Sequence, residues 1–362
     1  MQFIDLKKQY EYIKQDVLKE INEVLDSGQY IMGGKVNELE SVLANYSGAK
    51  HCIGVADGTK ALLIALMALD IGAGDEVIVP AFTFIATASM AALLGIKPVF
   101  VDIDPDTYNI DTQLIEAAIT SKTKAIIPVG LFGQCADIDS VNKIAAKYNL
   151  AVIEDAAQSF GARHNNKSSC NMTTIACTSF FPSKPLGGYG DGGACFTNRE
   201  DLNEKIRWIR IHGQDSRYHH KILGLNGRID TLQAAILLAK MRVFAHEVEL
   251  RHKIGARYTS LLKDTDCITP YIATGNTHVY AQYSLIVKNR DSFIAKLQAN
   301  GIPTAVHYPI PLHLQPALAK YYDGQPLPHS ERIAKSIVSL PMHPYLDEAT
   351  QDEIVTVVKQ SL

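Results

Sequence analysis

The chain has 362 residues, of which 47% are hydrophobic and 20% charged, with a formal net charge of −3. That length exceeds what one core accommodates and suits two domains, and a charge balance without basic runs or tails excludes bulk attraction to nucleic acid or an anionic membrane. The start, Met1 to Lys8, lacks the apolar core of a secretory signal, and stretches such as 61–69 and 86–96 are too short or too interrupted to cross a bilayer. The six cysteines include no close pair and read as reduced thiols, so a cytoplasmic protein is expected.

Tyr10, Ile13, Val17, Ile21 and Val24 recur at helical spacing, and Val36, Leu39, Val42, Leu43 and Tyr46 repeat the pattern, so two amphipathic helices open the chain. From His51 onward short apolar strands alternate with helices. Strands are expected at Cys52 to Ala56, Glu76 to Val79, Pro98 to Val101, Ala125 to Pro128 and Ala151 to Glu154, with helices at Lys60 to Leu69, Phe84 to Leu94 and Ile138 to Tyr148. The alternation implies an α/β fold with a largely parallel sheet covered on both faces. Ile175 to Phe180 and Ala194 to Thr197 read as further strands. Gly and Pro are absent from Asp230 to Ile254, which predicts a long helix, reaching about Leu262, that links two domains. A strand at Tyr280 to Val287, a helix at Ser292 to Ala299 and a last helix near Asp347 to Val358 complete a smaller α/β unit.

Chemistry concentrates where parallel strands end, because helix N-termini and loop amides converge there. Asp57-Gly58-Thr59 follows the first strand and opens a helix whose free amides, with the Thr59 hydroxyl, could cradle a phosphate; the same triplet serves equally as a turn with an N-cap. Phe84 follows the second strand and could lie flat on a pyridine ring or simply pack. Asp155 ends a buried strand, where a carboxylate suits a protonated ring nitrogen and would also suit magnesium. Ala157 is small enough to face a ring, and the Gln158 amide could reach a ring oxygen. The decisive segment is Ser179-Phe180-Phe181-Pro182-Ser183-Lys184-Pro185-Leu186-Gly187-Gly188. Its prolines stiffen the loop and its glycines permit close backbone approach, so Lys184 is held in place, with the Ser179 hydroxyl beside it. A fixed amine near a buried acid is what holds an aldehyde cofactor covalently and keeps its ring nitrogen protonated, which points to pyridoxal 5'-phosphate; no metal site is expected.

Gly58-Thr59, Phe82-Thr83-Phe84, Glu154-Asp155-Ala156-Ala157-Gln158, Ser179 with Lys184, Gly190-Asp191-Gly192-Gly193 and Gly224-Leu225-Asn226-Gly227-Arg228 together closely resemble the DegT/DnrJ/EryC1/StrS family of nucleotide-sugar aminotransferases, over essentially the whole chain. The resemblance implies a PLP-dependent aminotransferase of fold type I. Its large domain would hold a mostly parallel seven-stranded sheet and span residues 1–245, and a smaller C-terminal α/β domain would span 246–362. It implies that Lys184 binds the cofactor covalently and shuttles a proton, that Asp155 pairs with the ring nitrogen and Gln158 with the ring hydroxyl, that Phe84 stacks, and that Gly58, Thr59 and Ser179 hold the phosphate. Asn226 would reach that phosphate from the neighbouring subunit of a homodimer. The family usually carries Asn or Ser where this chain has Asp57, with Lys60 placed to compensate, and often Trp or Tyr where it has Phe84.

Within the family, the segments at 180–187, 210–220 and 305–312 are most similar to the branch that uses L-glutamate to aminate the 3-keto carbon of a UDP-linked 2-acetamido-2-deoxy-hex-3-uluronic acid for surface polysaccharide such as O-antigen. That likeness implies that Arg228, His307 and Tyr308 contact the UDP-sugar, although His307 and Tyr308 between prolines would equally form a packed loop. The alternatives are a 4-aminotransferase for another nucleotide-linked keto sugar and, from another class, a non-catalytic regulatory or ligand-sensing protein on the same fold. A dehydratase branch carries histidine in place of the lysine, and Lys184 speaks against it.

Overall fold

A computed structural model describes residues 1–362. The helical periodicity at the start becomes α1 (Leu6–Ser27), which buries Ile13, Val17 and Val24, and α2 (Gly34–Ser47), which buries Val36, Leu39 and Leu43. Both pack on the long helix at residues 231–262, and Asp5 caps α1 by accepting from the Lys8 amide.

The central sheet has seven strands: β1 (His51–Val55), β2 (Glu76–Pro80), β3 (Lys97–Val101), β4 (Thr123–Ile126), β5 (Ala151–Asp155), β6 (Ile175–Ser179) and β7 (Gly193–Thr197). Their spatial order is β1-β7-β6-β5-β4-β2-β3, and β7 alone runs against the rest. The expected fold class is therefore present, with boundaries shifted by a residue or two. Side chains alternate across the sheet: Val77 and Val79 join one apolar cluster with helix α3 (Gly58–Ala68), while Ile78 joins another with Val141 and Ala145 of α5 (Ile138–Tyr148). Helix α4 (Ala86–Leu93) lies against β2 and β3, and α6 (Glu200–Arg210) packs on α3 and β1. Here a buried ion pair ties three elements: Glu40 of α2 meets Arg210 of α6 at 2.5 Å and accepts from the Gly54 amide of β1 at 2.9 Å.

Helix α7 (Thr231–Leu262) is one unbroken element of 32 residues, as the absence of Gly and Pro from most of its length predicts. Ala234, Leu237 and Phe244 enter the core of the sheet. Ile254, Tyr258 and Leu262 enter a second core with β8 (Tyr283–Ile286), β9 (Ile337–Leu340) and the last helix. The C-terminal segment also holds α8 (Arg290–Ala299), α9 (Pro328–Ser336) and α10 (Glu348–Ser361).

The expected strand at 280–287 begins only at Tyr283. The residues before it bond elsewhere: the Val279 amide donates to the Gly133 carbonyl and the Gln282 amide to the Phe132 carbonyl. Helix α4 starts at Ala86, two residues later than expected, so Phe84 stays in the loop after β2. All six cysteines are buried and unpaired, and no helix is long and apolar enough to cross a membrane.

Candidate active site

The strands that share a direction end on one edge of the sheet, and there Asp57, Phe84, Asp155, Ser179 and Lys184 line a cavity of about 610 Å³. A volume of that order accommodates a cofactor and a small substrate.

At the end of β1 the chain turns into α3, whose first amides, those of Gly58 and Thr59, lack a partner one turn back and are free to bind an anion. Asp57 caps this helix by accepting from the Lys60 amide at 2.6 Å, and its other oxygen lies 2.7 Å from Lys60 Nζ. The acid beside these amides is thus paired. A Cβ on Gly58 would fall 2.6 Å from the Ser179 Cβ, so only glycine lets the helix end approach that strand. Ser179 Oγ accepts from the Phe181 amide at 3.3 Å, which leaves its hydroxyl proton free to donate to an anion.

At the end of β5, Asp155 is buried and held by two donors: Thr87 Oγ1 at 2.9 Å and the Ala157 amide at 3.2 Å. Burial raises its pKa, while Thr87, the Ala157 amide and nearby Lys184 act in the opposite sense. A carboxylate so placed is stabilised by a cation, such as a protonated ring nitrogen.

Lys184 follows a tight turn in which its own amide donates to the Phe181 carbonyl at 2.8 Å, and the Gly188 amide to the Phe180 carbonyl at 2.7 Å. Burial lowers its pKa, and Asp155 opposes that shift. An amine biased toward its neutral form is a better nucleophile and base. Gln158 is oriented at both ends: Oε1 accepts from the Phe132 amide at 2.8 Å and Nε2 donates to Tyr308 Oη at 3.2 Å. Half-exposed Phe84 stands at the rim, its ring centroid 6.0 Å from that of Tyr308. His307 lies 3.3 Å from Ser339 Oγ, and burial lowers its pKa to about 4, so the ring is neutral at pH 7.

The cavity brings together Gly58, Thr59, Phe84, Asp155, Ala157, Gln158, Ser179, Lys184, His307 and Tyr308. Asn226 and Arg228 do not line it. They lie in the segment that bridges to Ile211 and Val55, where Arg228 Nε donates to Asn226 Oδ1 at 3.0 Å. Sequence reasoning did not single out Thr87, Thr83 or Gln282. Thr87 is buried and sits one helical turn after Thr83, a spacing that could have flagged a second polar residue at the strand end.

The glycine gap at Ser179, the paired acid at Asp57, the buried carboxylate and the neutral-leaning amine fit pyridoxal phosphate. Residues 11–359 match the DegT/DnrJ/EryC1/StrS aminotransferase family. The chain belongs to that family. It is 58% identical over 350 residues, 97% of each chain, to the UDP-2-acetamido-2-deoxy-3-oxo-D-glucuronate aminotransferase of Pseudomonas aeruginosa. It is 42% identical to the UDP-N-acetyl-3-dehydro-alpha-D-glucosamine 3-aminotransferase of Acidithiobacillus ferrooxidans, over 99% of this chain and 97% of that one. Among solved structures, a DegT/DnrJ/EryC1/StrS aminotransferase from Brucella abortus superposes with a TM-score of 0.97 at 45% identity, covering 99% of each chain. The Bacillus subtilis protein NtdA, solved with bound cofactor PMP, superposes with a TM-score of 0.93 at 31% identity, covering all of this chain and 85% of that one. The protein is a pyridoxal-phosphate-dependent aminotransferase, and its fold is that of these relatives.

Proposed function

We propose that this aminotransferase moves the amino group of L-glutamate to the 3-keto carbon of UDP-linked 2-acetamido-2-deoxy-hex-3-uluronic acid. The product would be UDP-2-acetamido-3-amino-2,3-dideoxy-uronate, for a surface polysaccharide such as O-antigen. The observation that carries this reading is the 58% identity, across nearly the full length of both chains, to a protein named for that substrate. The cavity supports it by offering an amine, an acid and an anion cradle in one place.

When bound, pyridoxal phosphate supplies an aldehyde for amines and a sink for electrons. The protein does the rest. Gly58, Thr59 and Ser179 bind the phosphate, and Asn226 of a second subunit completes that contact in a homodimer. Asp155 holds a proton at the ring nitrogen, Gln158 donates to the ring oxygen, and Phe84 with Ala157 confines the ring. Lys184 would be the covalent anchor and, once free, the base that takes the proton from the amino-bearing carbon and passes it on within the same half-reaction, working in the reverse direction in the second half. Arg228, His307 and Tyr308 bind the UDP-sugar, where Arg228 supplies positive charge for an anionic substrate. The same reading divides the chain into a large domain, 1–245, and a small domain, 246–362, a division supported by two separate apolar cores. It places the enzyme in the cytoplasm, where nucleotide sugars are made.

The test is 2-oxoglutarate release by the purified holoenzyme with glutamate and UDP-linked 3-keto-uronate generated in place by a dehydrogenase. Turnover there, and little with 4-keto nucleotide sugars, is expected. Turnover confined to the 4-keto compounds would overturn the substrate assignment and leave the aminotransferase class standing.

A further inference from the structure

We infer that Gln282 is a substrate-reading residue, whose carboxamide oxygen accepts a hydrogen bond from a hydroxyl or acetamido N–H of the sugar acceptor. The inference rests on the nucleotide-sugar reading above and names a residue that reading does not use.

Gln282 is 7% exposed, and it lines the same cavity as Lys184, Asp155 and Tyr308. Its Oε1 is buried and accepts no hydrogen bond from any protein group. A buried acceptor without a donor is costly, so such groups persist where a ligand completes them. Two other buried groups of the cavity are satisfied internally: Gln158 by Phe132 and Tyr308, Asp155 by Thr87 and Ala157.

The backbone at Gln282 is fixed to the same unit that orients Gln158. The Gln282 amide donates to the Phe132 carbonyl, and the Phe132 amide donates to Gln158 Oε1. The next residue, Tyr283, turns into the second core and bonds Thr259 with its hydroxyl at 2.9 Å. Gln282, just before that strand begins, instead lines the cavity.

The chemistry selects the ligand. Glutamate carries two carboxylates, which only accept, and its one donor, the ammonium, is the group that reacts. The acceptor sugar offers several hydroxyl donors and an amide N–H. An unpaired acceptor in the cavity wall thus complements the sugar and not the amino donor.

Calorimetric titration of the holoenzyme with UDP-N-acetylglucosamine, an unreactive probe with the same classes of donor, tests this alongside titration with UDP. Gln282→Met keeps the length and removes the acceptor; Gln282→Leu serves as a second variant. Binding of the nucleotide sugar is expected to weaken about 10-fold or more. Binding of UDP and the rate of the glutamate half-reaction should stay within about 2-fold, which also certifies a folded, loaded site. Equal losses for UDP and UDP-N-acetylglucosamine, a loss confined to glutamate, or unchanged sugar binding would each overturn the proposal. Wild-type protein that handles glutamate yet binds neither nucleotide would overturn the substrate reading and this inference together.

Discussion

The Thr87 hydroxyl donates to Asp155 Oδ2 at 2.9 Å, joining the first turn of α4 to the end of β5 across 68 residues of sequence. The Ala157 amide holds the other oxygen of the same carboxylate, so the acid's orientation and charge are set from two sides. Replacing Thr87 by Val removes a hydrogen bond to a charged group, worth about 1.5–3 kcal/mol, and leaves burial to raise the Asp155 pKa further. The variant is expected to bind pyridoxal phosphate more weakly and to slow the glutamate half-reaction by about 10-fold or more, whereas Thr87→Ser keeps both near wild type. Cofactor dissociation measured by absorbance, with stopped-flow mixing against glutamate, checks this.

Borohydride reduction of the holoenzyme followed by peptide mass mapping should place the cofactor label on Lys184 and nowhere else. Lys184→Arg puts a permanently charged group in place of an amine that can release its proton, so the glutamate half-reaction should fall by about 10²–10⁴-fold or more.

Glu154, the neighbour of Asp155 on β5, faces away from the cavity and accepts from Ser169 Oγ at 2.7 Å and the Cys170 amide at 3.1 Å. Burial raises its pKa to about 7. The folded state therefore binds more protons than the unfolded one between the ordinary glutamate pKa and about 7, so this group's contribution to stability declines as pH rises through that interval. The neutral, buried His278 and His307, with pKa values lowered to about 3 and 4, work in the opposite sense, their contribution falling as pH drops below the ordinary histidine value of 6.5. Glu154→Gln isolates the glutamate: denaturant titrations at pH 5 and pH 8 should show the wild type losing up to about 3 kcal/mol relative to the variant.

The Glu40–Arg210 pair is buried on both sides, and Arg207 adds a second contact to Glu40 at 2.8 Å. Glu40→Leu leaves the Arg210 charge in the interior with only the Gly54 carbonyl, 2.8 Å away. A loss of about 3–5 kcal/mol is expected, read as a lower urea midpoint with an unchanged slope.

Asn226 lies outside its own chain's cavity. If the site is shared across a homodimer, mixing Lys184→Ala subunits with Asn226→Asp subunits should restore activity that neither preparation has alone, because one hybrid site then carries both intact residues. Mixing without recovery would argue for self-contained sites.

The parts of this architecture with a strict local period could be read directly. Val77, Ile78 and Val79 announce a strand buried on both faces, and the run from Asp230 lacks any residue that breaks a helix. The loop of Lys184 was legible because proline and glycine leave few backbone options. Thr87 was not, since a threonine in an alanine-rich helix carries no mark of a partner brought in by a different strand. Gln282 was hidden for a related reason. Its segment has strand-like composition, yet the chain there bonds to the 132–133 loop, and that detour aims the amide at the cavity. Short pairings such as Gln214–Ser216 with His219–His220 span too few residues to show a period.

Helix α7 reaches about 48 Å at the standard rise of 1.5 Å per residue and donates side chains to both apolar cores. Melting either core strips one half of that rod of its packing, and an isolated half-helix in water is marginal. Heating should therefore take the chain apart in a single calorimetric peak, with its C-terminal third lacking any independent melting point.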